Sequence, residues 1–252
     1  MYSARKRTLH FFERRRSVME LSDYEKSQLK PFRFSMKQTD SPLSICVAQL
    51  FAEKDLRYYF EKLQQKMGAP NMAVAASIFI KRYSFVAVIA LYAMSVWNKR
   101  LFLPFDRIYL ETDDTAEIWL PTFRIEPLQY TQSAQKRIQW SKETIEELFA
   151  NHLSPLIGQI HPIAKIPSLV LWENIAIYLF WLYETVLMKD EVFSDIAVQL
   201  NEDLQTVIQT MNLARFWEKR KKVGRRVTCC LSYQTTMAHS YCKICPLKKD
   251  HF

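Results

Sequence analysis

Residues 225–247 read RRVTCCLSYQTTMAHSYCKICPL. Four of the chain's five cysteines lie within 17 residues here: Cys229 and Cys230 are adjacent, eleven residues follow, and Cys242-Lys-Ile-Cys245 closes the set ahead of Pro246. Thiolate is a soft ligand that suits zinc and iron–sulfur clusters, and four thiolates complete either site. Zinc sites of four cysteines usually come as two C-x₂₋₄-C knuckles, and only the second half has that form. An adjacent pair is awkward for one small tetrahedral ion, because neighbouring side chains diverge unless a turn bends them together. A two-iron cluster places its metals further apart and restricts such a pair less. Disulfides from either vicinal cysteine to Cys242 or Cys245 are the third possibility. Arg225, Arg226, Lys243, Lys248 and Lys249 can offset the negative charge of a thiolate-ligated centre.

The whole chain bounds what such a centre can do. At 252 residues it is one large or two small domains, and 49% apolar residues with 13% aromatics suffice for a core. We divide it into a basic segment and helix over 1–70, a mainly helical core over 71–220, and a metal-binding segment over 221–252. Only Gly68, Gly158 and Gly224 are glycine, so neither G-x-G-x-x-G nor a P-loop can be written. With no such phosphate cradle, a redox role would draw its electrons from another protein.

The net charge of +9 is uneven: residues 1–37 carry +6, residues 215–252 carry +8, and the body between them −5. Two basic ends point to an anionic partner near the cysteines: an acidic electron carrier, an anionic metal chelate, a membrane surface or nucleic acid. Met1–Arg16 is basic and lacks the apolar run of a signal peptide. The longest apolar stretches, Tyr83–Trp97 and Asn174–Tyr183, are too short to span a bilayer. A cytoplasmic protein is expected, where clustered cysteines argue for metal over disulfide.

Along the chain, Lys and Arg around Phe11-Phe12 open a basic segment, and Ser22-x-x-Glu25 predicts a capped short helix ending before Pro31. Phe32 and Phe34 read as a strand or a docking segment. Ser41-Pro42 predicts a helix ending at Gly68, with Cys46 as a small buried hydrophobe. Asn71 predicts the start of a core helix running to about Lys99, in which Arg82 calls for a salt bridge, a snorkelling position or a substrate contact.

The period then changes. Arg107–Glu111, Glu117–Leu120 and Thr122–Glu126 read as strands, with Asp113-Asp114 in a turn. Ser141 predicts the next helix start. His152 and His161 have no second ligand at i+3 or i+4 and read as structural or surface residues. Ser168–Lys189 is a strongly apolar helix in which Glu173 and Asn174 require partners. One or two further helices follow, with a break at Asn201–Asp203, and Trp217 leads into the basic run before the cysteines. The fold class is α+β, predominantly helical, with a small antiparallel sheet in mid-chain.

The run R-R-x-x-C-C-L-x-Y followed by Y-C-x-x-C-P-L resembles the C-terminal signature of the FhuF-like ferric-siderophore reductases. The family spacing is C-C-x₁₀-C-x₂-C, and this chain has one residue more, 231–241. Leu153-Ser154-Pro155-Leu156-Ile157 and Val170-Leu171-Trp172-Glu173-Asn174 are similar to that family's H-L-x-P-L run and W-x-N motif, and the resemblance covers roughly residues 70–250. It implies a [2Fe–2S] cluster on Cys229, Cys230, Cys242 and Cys245. It also implies one-electron reduction of Fe(III) in a hydroxamate or citrate–hydroxamate siderophore, with the electron from a ferredoxin-like or flavin-dependent donor. Arg225, Arg226, Trp217 and His239 are then candidates for substrate contact. Peripheral association with a membrane or transporter is compatible with this reading, and no nucleic-acid partner is expected from it. The alternatives are a zinc-stabilised nucleic-acid-binding module and an iron–sulfur redox sensor that uses the helix pair at 192–215.

Overall fold

A computed structural model of the chain describes residues 18–132, 136–236 and 241–248. The basic opening around Phe11-Phe12, His239 and Lys249 lie outside the described residues. The fold is α+β: helices dominate, and six short strands form two antiparallel sheets.

Strand β1 (Met19–Glu20) leads into helix α1 (Asp23–Gln28). Here Ser22 accepts the Glu25 N–H while the Glu25 carboxylate accepts the Ser22 N–H, the expected reciprocal cap. Phe32 and Phe34 dock into the core, and Phe34 forms a single bridge to Phe123. Ser41-Pro42 does not start a helix. Ser41 caps a tight turn, its hydroxyl taking the Leu43 N–H and its carbonyl the Ser44 N–H. β2 (Ile45–Cys46) then pairs with β4 further on, and a 3₁₀ turn over Val47–Phe51 follows, so no α-helix forms where one was expected. Helix α2 (Glu53–Met67) begins only there, with Glu53 and Asp55 favouring its positive end, and stops at Gly68 with φ +57°.

Asn71 caps α3 (Met72–Trp97) by accepting the Val74 N–H. β3 (Lys99–Leu101), β4 (Ile108–Glu111), β5 (Thr122–Ile125) and β6 (Gln129–Gln132) follow. The sheet orders are β1-β6-β3 and β2-β4-β5, with Tyr109 opposite Arg124 and Leu101 opposite Tyr130. Asp113 turns the chain as expected, accepting from the Thr115 N–H and hydroxyl. Glu117–Leu120 is not a strand. Trp119 is fully buried and donates its indole N–H to Thr112, which draws the segment across the sheet instead of along it.

Helix α4 (Arg137–Glu147) starts before Ser141, whose hydroxyl is satisfied inside the helix by the Ile138 carbonyl. A π turn over Leu148–Leu153 joins it to α5 (Ser154–Ile163). Pro155 supplies no N–H to the turn before it, and a wider turn is a common response to that loss. α6 (Ser168–Trp181) also passes into a π turn, Leu182–Leu187. α7 (Ala197–Thr210) continues through Asn201–Asp203, contrary to the expected break. Asp203 is buried and receives both terminal guanidinium nitrogens of Arg137 and the Ser95 hydroxyl, so it serves the core there. α8 (Ala214–Val223) ends at Gly224.

Two helices, Met72–Trp97 and Ser168–Leu187, are long and apolar enough by length and composition to cross a membrane. This corrects the reading from the apolar runs alone, because the helices extend past the flanking charges. In α3, 89% of the apolar window is buried inside the fold, so its apolar surface faces protein. α3 and α6 run side by side in the same direction: Ser84 meets Asn174, Phe85 meets Tyr178, and Ser95 meets Tyr183. That pair carries the cysteine loop.

Candidate metal centre

The loop is fixed by polar groups on three helices. Glu173 and Asn174, near the start of α6, are fully buried, and their partners lie in the cysteine loop. The Glu173 carboxylate accepts the Val227 and Thr228 N–H groups, each at 2.6 Å, and the Thr228 hydroxyl. Asn174 Oδ1 accepts from Arg226 Nη2 at 2.6 Å, and its Nδ2 donates to the Ser77 carbonyl and hydroxyl at 2.9 Å. Ser77, on α3, passes the chain of bonds on by donating to the Cys230 carbonyl at 2.8 Å. Thr236 closes the other side, with its N–H and hydroxyl both on the Met67 carbonyl at the end of α2. Every polar atom named here is answered, as burial demands.

Within this frame the four cysteines are free thiols grouped as two pairs. Leu231 takes a left-handed conformation, φ +60°, immediately after the vicinal pair, and its N–H donates to Cys229 Sγ at 3.4 Å. Cys230 Sγ lies 3.9 Å from Cys242 Sγ. Two thiolates bound to one tetrahedral metal at about 2.3 Å stand roughly 3.8 Å apart, so this spacing fits a shared metal. Cys229 and Cys245 form the second pair, near enough for the Cys245 thiol to bear on the Cys229 proton. The turn that brings Cys242 and Cys245 together is closed by the Cys245 N–H on the Cys242 carbonyl. Among the described residues no three His, Cys, Asp or Glu side chains are grouped to hold one metal ion. Each pair can supply two thiolates to a metal. Cys230 and Cys245 are buried, whereas Cys229 and Cys242 reach the surface in part.

The electrostatics favour thiolate at one position. A hydrogen bond with Cys242 holds the Cys230 thiol down to about 4 against its burial; Lys81, Ser232 and Arg226 add to the effect. The same bond pushes Cys242 well above the ordinary thiol range. Burial pushes Cys229 up to about 11, and the neighbouring thiols add to it. Arg226 is itself buried, 3.7 Å from Glu173 and bonded through Nε to the Thr228 carbonyl. It is a fixed positive charge behind the thiols and is closed to a substrate. Arg225 is half-buried and donates to the Lys248 carbonyl at 2.7 Å. Trp217 lies elsewhere, edge-on to Phe180, about 10 Å along α6 from Glu173. Lys243 and Lys248 are exposed beside the loop.

Ser77, Lys81, Thr228 and Thr236 escaped the sequence reading. Ser77 and Ser84, seven residues apart on a mostly apolar helix, were the available signal for the first.

His152 and Cys46 have no part in this centre. His152 is buried, and because a carbonyl can only accept, its Nδ1 donates to Leu103 while Nε2 accepts from the Tyr83 hydroxyl. Burial holds it down to about 4. Cys46 is half-buried in β2, its sulfur 3.5 Å from the Phe105 carbonyl.

The chain matches no curated protein significantly. Residues 77–215 match the family described as "Ferric iron reductase FhuF-like transporter". The match begins at Ser77, contains Glu173 and Asn174, and ends before the cysteines, so it covers two of the three helices that hold the loop and leaves out α2 with Met67. It spans more than half of the chain, and the protein belongs to the FhuF-like family.

Proposed function

We propose that this protein reduces Fe(III) in a siderophore of the hydroxamate or citrate–hydroxamate kind, with Cys229, Cys230, Cys242 and Cys245 as ligands of a [2Fe–2S] centre. The observation that carries the reading is the pairing of four free thiols on a loop that Ser77, Glu173 and Asn174 hold from within the part of the chain matching a ferric reductase family. When bound, such a centre supplies one electron at a time, and a ferric ion takes one to become ferrous. Fe(II) is held less tightly than Fe(III) by hard oxygen donors, so reduction favours release of the iron.

The chain's own residues do the rest. Arg226 and Lys81 place positive charge beside the thiols and offset the negative charge of a thiolate-ligated centre. Glu173, Asn174 and Ser77 fix the loop backbone, which keeps the sulfur positions constant between redox states. The partial exposure of Cys229 and Cys242 leaves one side open to a donor and an acceptor. The proposed donor is a ferredoxin-like or flavin-dependent protein, and the proposed compartment is the cytoplasm, with peripheral association to a membrane or transporter. The reductase activity is tested by mixing the chemically reduced, iron-reconstituted protein with a ferric hydroxamate and capturing ferrous ion with a colorimetric chelator. Stoichiometric Fe(II) from the wild type and none from Cys242→Ser is expected. Equal yields from both would overturn the assignment.

A further inference from the structure

Arg33 and Arg82 are two guanidinium groups with no carboxylate partner among the described residues. Arg33 follows the turn Lys30–Phe32 and lies over the Phe85 ring at 5.6 Å. Arg82 precedes Phe85 by three residues on α3, which puts the two on neighbouring helical positions. Arg82 Nε is buried and has no hydrogen-bond partner. Among the described residues the Arg33 side chain donates only to the Leu120 carbonyl, at 3.3 Å. Burial and then the charge of Arg82 lower the affinity of Arg33 for its proton, as expected of two cations close together. Arg33 also occupies a left-handed backbone position, φ +66°, which glycine or asparagine fills with less strain. An arginine there argues that its side chain is used.

Aromatic rings surround the Arg33 head group. Phe85 packs on Tyr178 at 4.9 Å and on Trp181 at 6.0 Å, and both of those rings are half-exposed. Paired cations beside aromatic faces bind a planar or carboxylate-bearing anion well. The position along α3 is equally informative. Ser77 holds the Cys230 carbonyl, and Arg82 follows on the same helix, about 8 Å along the axis from Ser77.

We infer that Arg33 and Arg82, backed by Tyr178 and Trp181, form the subsite that receives the anionic oxygens of the ferric chelate. They select chelates with net negative charge, such as those with a citrate carboxylate, over neutral trihydroxamates. This rests on the reductase reading, and its test is made independent of turnover. Gallium(III) replaces iron in the chelate and is not reduced, so titration calorimetry of the iron-reconstituted full chain reads binding alone. The probes are the gallium chelates of a citrate–hydroxamate and of a neutral trihydroxamate. Wild type binds the citrate chelate more tightly, and added salt narrows the difference. Arg82→Gln and Arg33→Gln each weaken the citrate chelate about tenfold and leave the neutral one unchanged, the loss expected of one charge-assisted contact. Arg82→Lys retains part of the affinity, and an unchanged melting temperature reports intact folding. Equal affinity for both probes in the wild type, no measurable binding of either, or equal loss of both in the variants would overturn the subsite. Selective gallium binding without iron reduction would leave it standing and remove only the reductase.

Discussion

Replacing Glu173 with glutamine tests what holds the cysteine loop. The carboxylate accepts two backbone N–H groups and a hydroxyl, and it faces Arg226 at 3.7 Å, with both side chains almost wholly buried. Glutamine keeps the shape but turns one acceptor into a donor that meets donors, and it leaves the Arg226 charge without a counter-ion. Removing one partner of a buried ion pair costs about 3–5 kcal/mol. A single charge-assisted hydrogen bond accounts for about 1.5–3 kcal/mol of such a loss. The helices stay packed, because the core spans Leu21 to Phe216 and does not depend on this contact. The expected result is local opening, with the Val227 and Thr228 amides exchanging about a hundredfold faster for a loss near 3 kcal/mol. Hydrogen exchange with mass spectrometry reads those amides against the α3 amides, which should not change. Combining Glu173→Gln with Arg226→Gln should cost less than the sum of the single changes by about 1–3 kcal/mol. Unchanged protection at residues 227 and 228, or full additivity, would refute the claim that this pair fixes the loop.

Two further perturbations follow from the same geometry. His152 is neutral in the fold and held down to about 4, whereas the unfolded chain takes up its proton near 6.5. Stability is therefore full above that unfolded value and falls as pH drops from about 6.5 towards 4, by about 2 kcal/mol between pH 7 and 5; urea midpoints at the two pH values check this. Gly68→Ala places a Cβ 2.4 Å from the Thr236 side chain at a left-handed backbone position. It should destabilise the chain by about 1–2 kcal/mol in thermal melts and break the Thr236 contacts to Met67, raising proteolysis after residue 231.

Much of the α+β fold was legible because its signals are local. The cap at Ser22, the stop at Gly68 and the Asn71 start each follow from one or two residues. The failures arose where a distant partner decided. Ser41 looks like a helix cap until β2 is seen paired with β4, and Asn201–Asp203 looks like a break until Asp203 is seen holding Arg137. Glu117–Leu120 has a strand's composition, but the burial of Trp119 sets its course. The cysteines were conspicuous in sequence, as was the need of Glu173 and Asn174 for partners. That these two observations describe one site was not legible, because 55 residues separate Glu173 from Thr228 and only the packing of α6 joins them. The same holds for Arg33 and Arg82, whose charges come near each other only in the fold.

The central claim is that the four cysteines hold a two-iron centre, and metal analysis of anaerobically purified protein tests it most directly. Iron, zinc and acid-labile sulfide are measured per chain, with a visible spectrum before and after dithionite. The account predicts about two iron and two sulfide with a colour that bleaches on reduction. About one zinc per chain, with no sulfide and no colour, would contradict it.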